Sequence, residues 1–189
     1  MLKNNRLLRI ALSFLLTMAL KSETVSFEPA VNSSPSILGP QFSCIDAKLW
    51  GYLRLGISYL ESPMPLDPPE SVPPAYAHPD LRGFGAYGLS PEAYADVQRL
   101  YPFFRDYGWD NMLNSQRVYE LANMAFADYL LKNLKDCIPA DATQEQIFDV
   151  LHRAWNLGLS GFKNGREVVP SRILRAEEFK QSQTLYITT

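Results

Sequence analysis

Apolar residues through the middle of the chain recur at helical intervals, and no run alternates for long enough to predict a strand. Ile45, Leu49, Leu53 and Ile57 are four apart, with Trp50 and Leu60 beside them, which predicts a helix over 45–60. Pro63 and Pro65 stop it. A second helix should open at Pro91, with Ser90 as its cap and Glu92 in its first turn. Val118, Leu121, Ala122, Ala125, Tyr129 and Leu130 line one face of a long helix from 115 to about 136. Thr143 and Gln146 form a capping box for a helix over 144–156, which Gly158 closes. A weaker helical pattern covers about 171–181.

Between the first two helices the pattern fails. Residues 63–83 hold seven prolines, too many for a helix or a central strand, so a long extended loop is predicted. Gly83, Gly85 and Gly88 in "RGFGAYGL" then predict a tight turn. The fold class expected is mainly α: one domain of several helices with a long Pro-rich loop, spanning 43–185.

The first 20 residues follow another logic. Lys3, Arg6 and Arg9 precede the apolar run "IALSFLLTMAL", and Thr17-Met18-Ala19 offers small residues for cleavage. Residues 1–20 are read as a signal peptide and 21–42 as a leader segment, so a secreted or periplasmic location is expected. The run is short for a membrane span.

That reading changes the charge. The net charge of −2 becomes −5 without the signal, because 15 basic residues then face 20 acidic ones. A nucleic-acid partner is not expected, since no basic cluster could displace counterions from phosphates. Cys44 and Cys137 are the two cysteines, too few for a structural zinc site. In an oxidising compartment they could pair, and the sequence leaves that open.

Glu61 is the first candidate for chemistry. It continues the spacing of Ile45, Leu49, Leu53 and Ile57, so it extends an apolar stripe instead of facing away from it. A carboxyl among apolar groups is expected to hold its proton more tightly, as a general acid near neutral pH requires. The alternative is a solvated glutamate at a helix end.

Three motifs bear on that choice. "ISYLES", "GFGAYGL" and "AWNLGLSG" occur in this order, and the set resembles the lysozyme-like lytic transglycosylases and goose-type lysozymes. The resemblance covers about residues 45–180 and implies a lysozyme-like fold. It implies Glu61 as the catalytic acid/base, with Ser62 as its neighbour, Gly88 and Leu89 as the start of a second motif, and Trp155 and Asn156 within a third. It also implies peptidoglycan glycan strands as substrate, cut at the MurNAc-GlcNAc bond by a single Glu. The substrate's acetamido group and 6-hydroxyl would replace the second carboxylate and yield a 1,6-anhydro product. Tyr87 and Trp155, within the matched motifs, are the aromatic residues expected to border the cleft.

The sequence departs from the pattern at several positions. Ser90 and Pro91 stand where the family has Met and Gln, Trp155 replaces a Tyr, and Leu157 replaces an Ala. A substrate-binding amide is thereby lost. No acid lies at a fixed helical distance from Glu61, and Asp67, Glu70 and Asp80 in the loop are the nearest alternatives for a second carboxylate. His78 and His152 lack metal-ligand partners at useful spacing, so neither metal nor cofactor is expected, and His152 reads as a partly exposed structural residue. Two other functions compete with glycan cleavage. One is a non-catalytic secreted protein that binds glycan or a cell-wall or envelope protein on the same fold. The other is a helical interaction protein whose motif matches are accidental, with Glu61 exposed and far from Asn156.

Overall fold

The computed structural model describes residues 40–62, 68–79 and 82–187. The signal peptide, nearly all of the leader, Pro63, Pro65, Asp67 and Asp80 lie outside the described residues. Within them the protein is mainly α-helical, and β structure is limited to the isolated bridges Ala77–Phe84 and Phe84–Leu89.

The first helix, α1, spans Ala47–Glu61. Asp46 caps it, its carboxylate accepting from the Leu49 N–H at 2.7 Å. Ser62 leaves the helix with φ −66° and ψ 139°, the extended geometry favoured before a proline. Helix α2 spans Pro91–Leu100, and the Ser90 hydroxyl accepts from the Ala93 N–H at 3.2 Å, as the sequence predicted. A short helix, α3 (Trp109–Leu113), precedes α4 (Gln116–Leu134), which Ser115 caps. Helix α5 spans Gln144–Lys163 and opens with both bonds of the Thr143/Gln146 capping box, at 2.8 and 3.2 Å. Helix α6 spans Pro170–Ile187, longer than its weak apolar pattern indicated. Helix α3 and the single turns Pro69–Ser71, Pro102–Phe104 and Lys135–Cys137 are too short to show a periodicity in sequence.

Helix α4 packs against α2 and α5, and α1 packs against α5 and α6. The stripe on α1 faces this core, with Leu53 and Ile57 almost fully buried. Gly56 permits the approach, because a Cβ there would come within 2.4 Å of the Phe148 ring and 2.8 Å of Phe179. The Phe148 ring of α5 and the Phe179 ring of α6 therefore pack directly on the α1 backbone, a little more than one turn before Glu61.

Two polar clusters tie the core together. Glu120 of α4 accepts from Trp50 Nε1 at 2.9 Å and from the Tyr87 hydroxyl at 2.7 Å. Asp128, with no exposed surface, accepts from the Ser43 and Cys44 N–H groups, the Tyr101 hydroxyl and Lys132 Nζ, at 2.6 to 2.9 Å. Burial works against its charge, but the bonds from Lys132, Tyr101 and Cys44 outweigh it and hold the carboxyl below its ordinary range.

The pairing of the cysteines, open in the sequence, is absent in the structure. Cys44 and Cys137 are both exposed free thiols. Cys44 is anchored at Asp128, whereas Cys137 lies nine residues further along the same helical run, roughly 13 Å of helix rise. A disulfide needs Cα atoms within about 7 Å. His152 also departs from expectation: it is buried, its ring 5.3 Å from that of Phe148, and burial lowers its pKa to about 4.

Candidate active-site groove

The end of α1, the glycine turn and the break in α5 converge on a groove of about 660 Å³. Its walls include Glu61, His78, Gly88, Leu89, Trp155, Asn156 and Arg172. The volume falls within the usual range for small-molecule sites.

Each wall has a local cause. Glu61 is the last residue of α1, and its side chain is 10% exposed. Gly88 has φ 63°, a left-handed conformation that a side chain would strain. Any Cβ on it would lie 3.3 Å from Glu61 Oε2 and 3.2 Å from His78 Cε1. The glycine therefore lets the turn approach the carboxylate closely. In α5, Gly158 has φ 68° and ψ 163°, so the helix is broken where the sequence predicted its end, but it resumes beyond the break and runs to Lys163. The break leaves Trp155 and Asn156 in the last turn before it, on the groove wall.

His78 hydrogen-bonds to the Gly85 carbonyl through Nε2 at 2.8 Å. The carbonyl can only accept, so Nε2 is the donor. Trp155 donates from Nε1 to the Tyr87 carbonyl at 2.9 Å, which ties the broken helix to the glycine turn.

The neighbours of the Glu61 carboxyl differ from expectation. Arg172, near the start of α6, forks onto the carboxylate, with Nη1 on Oε1 and Nη2 on Oε2, the latter at 2.8 Å. With the Asn156 amide oxygen turned towards the same guanidinium, that oxygen accepts from Nε at 3.2 Å and Nη1 at 3.0 Å. A fork of this kind fixes the orientation of a carboxylate through two parallel bonds. The apolar stripe predicted the opposite environment, because spacing along α1 carried no information about a guanidinium on α6. A carboxylate also sits unfavourably at the negative end of a helix dipole, and Arg172 offsets that.

No family model, curated protein or solved structure matches this chain. The site is therefore read from its own residues. Glu61, Gly88, Leu89, Trp155 and Asn156, singled out in sequence, border the one groove. Ser62 does not; it is 2% exposed, with its N–H on the Ser58 carbonyl. Tyr87 is no cleft wall either. It is fully buried, its ring stacked on Tyr119 with centroids 5.7 Å apart, and burial together with Glu120 pushes its phenol well above the ordinary range. The turn points Gly88 at the groove and Tyr87 into the core.

Among the candidate second carboxylates, Glu70 pairs with Arg54 at 2.6 Å and does not line the groove. Glu92 and Asp96 of α2 do line it, and Asp96 is paired with Arg99 at 2.8 Å. The residues that sequence reasoning missed are His78, which was weighed only as a metal ligand, and Arg172. A signal for Arg172 existed: Arg172 and Arg175 stand in the first turns of a helix that has no acid there, the wrong end for cations unless partners await them. Among the described residues no group of three or more His, Cys, Asp or Glu is placed to hold a metal ion. Nor is any described helix long and apolar enough to cross a membrane.

Proposed function

We propose that the groove binds and cleaves a glycan strand of peptidoglycan, with Glu61 as the single catalytic carboxylate. The observation that carries this reading is that three separate stretches of sequence border one groove: the end of α1, the Gly88-Leu89 turn and Trp155-Asn156. An accidental set of matches would leave Glu61 exposed and remote from Asn156. Instead Glu61 is mostly buried and shares Arg172 with Asn156.

In the proposed reaction a protonated Glu61 gives its proton to the scissile oxygen, and the carboxylate then serves as base. The acetamido oxygen and 6-hydroxyl of the substrate complete the displacement and close a 1,6-anhydro ring. The chain would act outside the cytoplasm, in keeping with the basic and apolar pattern of residues 1–20. The test is digestion of purified peptidoglycan with mass spectrometry of the released ends. Anhydro muropeptides from wild type and none from Glu61→Gln are expected; equal release by both would end the catalytic reading.

One observation favours a second reading. Both oxygens of Glu61 are engaged by Arg172. A groove that binds glycan without cutting it fits that arrangement, and it predicts peptidoglycan pull-down with no released product.

A further inference from the structure

Arg172 does more than neutralise Glu61, and its geometry carries a role of its own. One planar guanidinium meets two residues from different elements. Its Nη atoms take the two Glu61 oxygens at the end of α1, while Nε and Nη1 meet the Asn156 amide oxygen just before the break in α5. Three helices are thus joined at one point on the groove wall. Lysine, a point charge, could not span both partners.

Arg175, one helical turn later, holds the backbone of the same α1 turn. It donates to the Leu60 carbonyl at 3.2 Å and to the Tyr59 carbonyl, with its guanidinium 5.4 Å from the centre of the Tyr59 ring. These carbonyls belong to the end of the helix, where intrahelical donors run out. The division of labour is clear: Arg175 fixes the backbone that carries Glu61, and Arg172 fixes its carboxylate. The apolar attachment of α6 comes from other residues, Ala176 and Phe179, which are buried in the core. Arg172 is therefore not required to dock the helix.

We infer that Arg172 is the positioning residue of the groove. It aims the Glu61 carboxylate, and by occupying the Asn156 amide oxygen it leaves that side chain's N–H donors for a ligand acceptor such as an acetamido carbonyl or a hydroxyl. This rests on the glycan-cleaving reading. Because Arg172 acts through Glu61 and Asn156, its loss should lower turnover far more than ground-state binding.

The experiment compares initial rates on soluble peptidoglycan fragments for wild type, Arg172→Met and Arg172→Lys, with thermal melts of each. The expected result is a fall in kcat of at least about tenfold in both variants, KM within about threefold and melts close to wild type. Failure of lysine to restore kcat separates geometry from charge. Three outcomes would overturn the role: rates within about twofold of wild type, a raised KM with intact kcat, or loss of activity only in step with loss of the folded protein. A silent wild type would instead count against glycan cleavage itself.

Discussion

Asp128 and Glu61 are both carboxylates on helices, both largely removed from solvent and both paired with a cation, yet their surroundings assign them different work. Asp128 is completely buried and accepts from four donors contributed by the N-terminal segment, Tyr101 and its own helix. Glu61 is held through one side chain, that of Arg172, at the wall of a groove. A saturated carboxylate can only be structural, since moving it would orphan every donor around it. A carboxylate aimed by a single side chain at a groove wall still has room for a ligand beside it. Burial does not distinguish them; the number and origin of the donors does.

The strongest way to break the comparison is Asp128→Ala. It should cost about 3–5 kcal/mol, because Lys132, Tyr101 and two backbone N–H groups lose a buried acceptor. Chemical denaturation would measure it, and a loss below about 1 kcal/mol would place Asp128 with ordinary surface acids.

Acidification sharpens the same contrast next. His152 titrates at about 4 in the folded protein against about 6.5 unfolded, because burial opposes its charge. The unfolded chain therefore takes up a proton first. Stability is complete above about pH 6.5 and falls as pH drops towards 4, by on the order of 2 kcal/mol between pH 7 and pH 5. The depressed pKa of Asp128 has the same sign, and its loss follows at lower pH. Urea midpoints recorded across this range for wild type and His152→Phe would check the first part: the variant should show a flatter profile.

Smaller effects are expected where packing alone positions the groove. Gly56→Ala should cost about 1–3 kcal/mol, since its methyl meets the Phe148 and Phe179 rings. Tyr87→Phe should cost about 1–2 kcal/mol by removing a buried donor to Glu120. Thermal melts of the two would test them, and an unchanged melt for Tyr87→Phe would show that its bond to Glu120 adds nothing to stability.

The helices were legible because their signals are local. Ser90 and Thr143 each cap the helix predicted for them, since a cap and its N–H partner lie three residues apart. Gly158 marked the α5 break for the same reason, because its φ of 68° is a property of one residue. The apolar stripe located Glu61 correctly on the core side of α1 but misjudged its environment. Its partner lies 111 residues away, and spacing within α1 says nothing of α6. Tyr87 was misplaced because a turn motif does not state which of its side chains faces inward. Asp128 escaped notice entirely, hidden as a polar residue in an otherwise apolar helix face, where only tertiary donors explain it.

The most direct test pairs the two carboxylates in one experiment: muropeptide release from purified peptidoglycan and thermal melting, for Glu61→Gln beside Asp128→Asn. The account predicts that Glu61→Gln releases less than about one-hundredth of the wild-type product while melting close to wild type. Asp128→Asn should melt lower yet still release product at temperatures where it remains folded. Wild-type release by Glu61→Gln, from a folded protein, would contradict the account.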